Sequence, residues 1–428
     1  MNHLVTMLSI TVVSATAFAQ SRQIPASETN GSVLLVNATI HPVTAEPLEN
    51  GWMAFEGGRI TLIGRGDRPS IDDVTVVDLA GRHVYPGLVA ADSILGLVET
   101  GMAEVTHDHN ERGSFTPEAR AVVALNPDSD LIPVTRASGI LTALVVPDGG
   151  RIPGQAAVIR LDGWDWEDLA ITPSAALVIE WPSTERPSFG RRSSSDTNAA
   201  KQFDTLNDYC DEAEAYLAAI DADSSLPRDS RAESLRAALT GEQPVLIKAS
   251  TAGQIATAVA WAKHRGLDPI ILGGEEADEV AALLVEEDVP VIVRGVHRYP
   301  ASRSRNPDEP HALPARLRDA GVRFCIAPRD RPAHLRNLPH HAATAVANGL
   351  TPEEGLRAIT IDAAAIIGVG DTLGSLEPGK SATFIVTTGD PLQLRTEVEE
   401  AWIDGRPVDL TSRHTQLRDK YRRKYAEG

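Results

Sequence analysis

From Pro86 onward this chain alternates short apolar runs with helical stretches, and few folds are compatible with that pattern. The apolar runs include Gly139-Ile-Leu-Thr-Ala-Leu-Val-Val-Pro, Pro244-Val-Leu-Ile-Lys-Ala, Pro269-Ile-Ile-Leu-Gly, Pro290-Val-Ile-Val-Arg-Gly and Val322-Arg-Phe-Cys-Ile-Ala. Between them, residues 251–264 and 277–287 read as helices. The first places Ile255, Val259 and Ala262 near the three-and-four spacing of a buried face. Strand, helix, strand, helix in series predicts parallel βα units, and a barrel suits several of them better than a doubly wound sheet.

Both ends of the chain have a different texture. Near the start, Val33 to Val36, Gly51-Trp-Met-Ala-Phe and Arg59-Ile-Thr-Leu-Ile read as short strands, the last two joined across Gly57-Gly58. Near the end, Ala382-Thr-Phe-Ile-Val-Thr and Val398-Glu-Glu-Ala-Trp-Ile do the same. At 428 residues the chain is long for one average domain and suits a barrel plus a smaller β module. Residues 183–202, serine-rich and locally basic, read as a mobile surface insertion. Residues 411–428 read as a basic surface tail.

The first residues read as an export signal. Leu4 to Val13 is mostly apolar, and Ala17-Phe18-Ala19 supplies a cleavage site, so the mature chain is expected to start near Gln20 and to be periplasmic or secreted. The run is too short to span a bilayer, and no later segment reaches that length. The formal net charge of −19 opposes nucleic acid and anionic lipid as partners. Cys210 and Cys325 leave one disulfide open, although the apolar run around Cys325 favours a buried thiol.

Three segments carry a family likeness: Val84-Tyr-Pro-Gly-Leu-Val-Ala-Ala, Gly355-Leu-Arg-Ala-Ile-Thr-Ile-Asp-Ala-Ala, and Leu373-Gly-Ser-Leu-Glu-Pro-Gly-Lys-Ser-Ala-Thr-Phe-Ile-Val with Gly389-Asp-Pro-Leu after it. With these, the chain resembles the amidohydrolase superfamily, nearest its imidazolonepropionase-like and dihydroorotase-like branches. The resemblance implies an α/β protein: a TIM-like (β/α)8 barrel over residues 86–370, with a composite β-sandwich from 32–85 and 371–410. It also implies hydrolysis of non-peptide C–N bonds, as in a cyclic amide. One or two divalent metal ions such as zinc would activate water there, and an aspartate would shuttle protons.

The ligand pattern departs from that family. The His-x-His expected after Pro86-Gly87 reads Asp92-Ser93-Ile94, and isoleucine binds no metal. A later strand end reads Ile247-Lys248-Ala249, and a protonated lysine offers only donors. The next reads Gly273-Gly274. The shuttle aspartate aligns with Asp330. The candidate catalytic residues are therefore Asp330 and Lys248, and an ion pair of Lys248 with Asp330 or Asp92 is expected where a metal would sit. The candidate metal ligands are Asp92 and the displaced His-x-His of His107 and His109. His297, His340 and His341 are further pocket candidates, weighed against ordinary packing. Two readings follow: a hydrolase with a reduced or displaced metal site, or a metal-free, catalytically silent relative that keeps its pocket for a small-molecule ligand or a partner.

Overall fold

A computed structural model describes residues 23–182, 199–300, 305–328 and 331–426. The terminal β segments build one connected mixed sheet. From the N-terminal part come β1 (Ser32–Ile40), β2 (Leu48–Glu56), β3 (Arg59–Arg65), β4 (Val74–Asp78) and β5 (His83–Pro86). The barrel wall consists of β6 (Leu88–Ser93), β7 (Ile140–Val145), β8 (Gly154–Arg160), β9 (Ala170–Glu180), β10 (Val245–Ala249), β11 (Pro269–Gly273), β12 (Val291–Arg294) and β13 (Phe324–Ala327). The chain then returns to the first sheet with β14 (Phe384–Thr387), β15 (Val398–Ile403) and β16 (Arg406–Val408).

The first sheet has the order β16-β15-β14-β5-β1-β2-β3, with β4 also on β1. Its two halves meet where β14 pairs antiparallel with β5, Phe384 opposite Pro86. Bulges after Leu35 and Ala38 bend β1, so that its first half pairs in parallel with β4 and its end with β5. Phe55, Phe384 and Trp402 pack edge-on and stacked in the core of this sheet.

The second sheet runs in order from β6 to β13 and forms a nearly closed barrel. Its ends are bridged by Ala358 and Ile359, whose carbonyls accept from Ile326 N–H (3.0 Å) and Val89 N–H (2.9 Å). One strand departs from an all-parallel barrel: β8 is antiparallel to both β7 and β9. The connections 146–153 and 161–169 are too short for the crossover of about a dozen residues that a parallel pair needs. Alternation sorts the strand residues. Leu246, Ile292 and Val178 fill the barrel interior, while Val245, Ile247, Val291 and Val293 face outward to the helical layer.

Cys325 is fully buried inside the barrel and Cys210 lies in the outer layer; both are free thiols, so no disulfide joins them. The helix Ala199–Ala222 takes in residues 199–202, so the last part of the expected surface insertion is helical; 183–198 lie outside the described residues. The signal segment 1–19 lies outside them as well. Among the described residues, no helix is long and apolar enough to cross a membrane.

Just beyond β1, His41 Nε2 lies 3.0 Å from His83 Nδ1, and the His41 ring stacks on Tyr85 with centroids 4.0 Å apart. Burial, and secondarily the charge of His83, push the His41 pKa down to about 4. The folded state therefore binds fewer protons than the unfolded chain between pH 6.5 and about 4, and this contribution to stability is lost as pH falls through that window. After allowance for solvent screening the loss is about 1–2 kcal/mol. Urea unfolding at pH 7 and pH 4.5 is expected to show it, and His41→Gln is expected to flatten that slope.

Candidate active site at the barrel mouth

Strand alternation delivers charged side chains to the C-terminal end of the barrel, where barrel active sites form. Lys248 stands two residues beyond inward-facing Leu246, Arg294 two beyond Ile292, and Glu180 two beyond Val178. Asp148 follows inward-facing Val146 at the same interval. Alternation alone would turn Asp92 outward, because Ala91 already faces the interior. Two residues of β6, Ala91 and Asp92, however, oppose the single residue Leu144 of β7 between the pairs Ala90–Ala143 and Ser93–Val145. This bulge re-aims Asp92 into the mouth.

Two ion pairs result. Arg294 grips Asp92 with both arms of its guanidinium, Nε to Oδ2 at 2.6 Å and Nη2 to Oδ1 at 3.2 Å. Asp92 is buried, and its charge, against the cost of burial, raises the Arg294 pKa. Lys248, also buried, donates to Asp148 Oδ1 (2.9 Å) and to the Pro147 carbonyl (3.0 Å), and its Nζ lies 4.0 Å from Glu180. Lys248 and Glu180 are direct partners across β10 and β9.

Burial would raise the Asp148 carboxyl, but the charge and hydrogen bond of Lys248, with the Gly149 N–H, hold it below its ordinary value. Glu180 lies above its ordinary value because burial outweighs Lys248. Both carboxylates remain about half exposed, at 55% and 47% of the side chain. They are the solvent-facing part of the network.

The sequence candidates separate in this geometry. Lys248 and Asp92 both reach the mouth, but each pairs with a residue the sequence reading had not singled out: Asp148 for Lys248, Arg294 for Asp92. Asp330 lies outside the described residues. His107 and His109 sit on the loop after β6, with ring centroids 5.5 Å apart. His107 Nε2 is 3.2 Å from the Thr100 carbonyl, and the His109 carbonyl accepts from Asp148 N–H (2.7 Å). Burial, and to a lesser degree His107 and Lys248, lower the His109 pKa against the pull of Asp148. Among the described residues, no three His, Cys, Asp or Glu converge as a metal-holding group. His297 and His341 stack at 4.0 Å, and His297 Nε2 lies 2.7 Å from Thr344 Oγ1.

The amidohydrolase family model matches residues 255–411. The chain is 24% identical over 391 residues to the amidohydrolase tasK of Hapsidospora irregularis, covering 81% of this chain but only 39% of that relative's length. It is 23% identical over 395 residues to the imidazolonepropionase of Pseudomonas entomophila (strain L48), covering 85% of this chain and 90% of the relative. The crystal structure of an amidohydrolase from Thermotoga maritima MSB8 superposes with a TM-score of 0.77 at 26% identity, over 88% of this chain and 99% of the other. The chain belongs to the amidohydrolase superfamily.

Amidohydrolases are hydrolases that typically bind a divalent metal such as zinc. Among the described residues, the donor set at the mouth does not fit such an ion. Asp92 has both oxygens engaged by Arg294, Ile94 has no donor atom, and Lys248 and Arg294 bring positive charge to strand ends where a metal needs neutral or anionic ligands. Asp148 and Glu180 offer carboxylate oxygens, but Lys248 lies between them and neutralises part of their charge.

Proposed function

We propose that this amidohydrolase takes a small polar molecule at its barrel mouth and holds it with fixed charges in place of the family's metal. The observation that carries this reading is the pair of cations, Lys248 and Arg294, each within 3 Å of its own carboxylate at the strand ends. A cavity of about 480 Å³ meets the network at Pro147, whose carbonyl accepts from Lys248; Asp108, His109, Asn110 and Glu118 also line it, while Lys248, Asp148, Glu180, Asp92 and Arg294 do not. Lys248 has three N–H donors and spends two on Pro147 and Asp148; the third can serve a carbonyl or carboxylate oxygen. The half-exposed Asp148 and Glu180 can accept from amide or amine N–H groups.

The test is a thermal-shift screen of lactams, cyclic ureides and free amino acids, with each hit titrated by calorimetry. Lys248→Met is expected to weaken a hit about tenfold, the worth of one charge-assisted hydrogen bond. Binding that is unaffected by Lys248→Met and Glu180→Gln would sink the proposal.

A second reading is hydrolysis of a non-peptide C–N bond in a cyclic amide-like substrate, with Asp330 as proton shuttle and a metal drawn from Asp92, His107 and His109. Similarity to an imidazolonepropionase over 85% of the chain supports it. Turnover of a lactam or cyclic ureide by zinc- or manganese-loaded protein, abolished by Asp330→Ala, would establish it. Export belongs to the proposal too, on the apolar run Leu4–Val13 and the Ala17-Phe18-Ala19 site. Periplasmic or secreted protein whose N-terminal sequence starts near Gln20 supports it; a chain that keeps Met1 and stays in the cytoplasm contradicts it.

A further inference from the structure

The C-terminal helix Arg413–Ala426 buries none of its residues. Ser412 and Thr415 cap its start, but an isolated helix this short is marginal in water, so its stability has to come from something that covers it. Only Thr415 and Asp419 are partly shielded, which identifies the side that faces the body of the protein. Two residues on from each is about 200° around the helix, so Leu417 and Tyr421 point away from that body, and Tyr425 continues their stripe. These three are 40%, 48% and 75% exposed. The helix carries six basic residues against one acidic, a net +5, which leaves −24 on the rest of a chain totalling −19.

Beside this helix lies a groove of about 830 Å³. Leu394, Val398 and Leu410 give it an apolar lining, and Glu397, Glu400 and Asp409 give it acid. None of these three carboxylates has an ion-pair partner among the described residues, and Leu394 is 81% exposed. Arg336 and the helix's own Arg418 line it as well. The helix cannot turn its outward stripe into its own groove, but a second copy related by a two-fold axis can present it.

We infer that this face is a dimer interface in which the C-terminal helix of each copy lies in the acidic, apolar groove of the other. The contact is isologous and closes on itself, so it gives a dimer and not a filament. The two-fold axis makes the helix-in-groove contact twice, once in each direction. An anionic lipid surface fits less well, because the −24 body repels it at the same range over which the helix attracts it.

The test is analytical ultracentrifugation of the mature chain at low and high salt. A dimer that loosens with salt is expected. Arg422→Glu/Arg423→Glu and Glu397→Lys/Glu400→Lys should each leave a folded monomer, with circular dichroism confirming the fold. Mixing these two charge-reversed variants should restore the heterodimer, which loss of folding could not do. Tyr421→Asp should also give a monomer. A wild-type chain that stays monomeric at all concentrations, or a dimer indifferent to every variant, overturns the inference. So does a monomer whose helix directs it to phosphatidylglycerol vesicles.

Discussion

Arg294→Leu is expected to lower the unfolding free energy by about 3 kcal/mol, because it strands a buried carboxylate. Asp92 is only 4% exposed, and both arms of the Arg294 guanidinium are committed to it. No other ion-pair partner of Asp92 exists among the described residues. The double variant Asp92→Asn/Arg294→Leu removes both charges and should recover most of the loss, since replacing a whole buried pair is often close to neutral. The comparison is made by urea unfolding of the two single variants and the double one at pH 7. If the double is as unstable as Arg294→Leu alone, packing of the arginine stem matters more than the pairing, and the electrostatic account of the mouth weakens.

Arg136→Met is expected to cost about 3–5 kcal/mol. Arg136 and Asp162 are both 4% exposed and 2.6 Å apart. Arg136 also donates to the Leu161 carbonyl (2.8 Å) and to the Gln23 side chain, while the other oxygen of Asp162 accepts from Ala26 N–H (3.0 Å). Burial pulls the Arg136 pKa below its ordinary value and Asp162 opposes that pull, so losing either partner leaves the other charged in a dry site. The pair straps the segment 23–26, the start of the described chain, against the barrel. Arg136→Met should therefore expose this segment to proteolysis as well as lower the urea midpoint. A stable variant with a protected N-terminus would show that the strap is held by other contacts.

Much of this was legible in the sequence. The β texture at both ends and the βα alternation between them gave the composite sheet and the barrel, because apolar periodicity follows directly from which faces are buried. The antiparallel β8 was not legible from periodicity, since a buried strand reads the same in either direction; only its short connections, 146–153 and 161–169, carried the signal. At the site, Lys248 was visible as a cation where a ligand should be. Arg294, Glu180 and Asp148 were missed, although each stands two residues past an inward apolar side chain and could have been found by extending the alternation beyond the strand end. The pairing of Asp92 with Arg294 was beyond reach, because the bulge that turns Asp92 inward depends on the register between β6 and β7. The histidine pair His107-Asp108-His109 looked like a displaced ligand set, yet tertiary structure gives the His107 ring a backbone carbonyl and leaves the His109 ring partly buried near the Asp148 charge, its Nδ1 without a hydrogen-bond partner among the described residues.

The central claim is that paired side chains stand where this superfamily holds a metal. Elemental mass spectrometry of the purified mature chain, before and after zinc or manganese loading and desalting, tests it most directly. The account predicts far less than one metal per chain in both samples, unchanged by Asp92→Ala or His107→Ala. One or two equivalents retained after desalting, and lost on either substitution, would contradict it and restore the metal-dependent hydrolase.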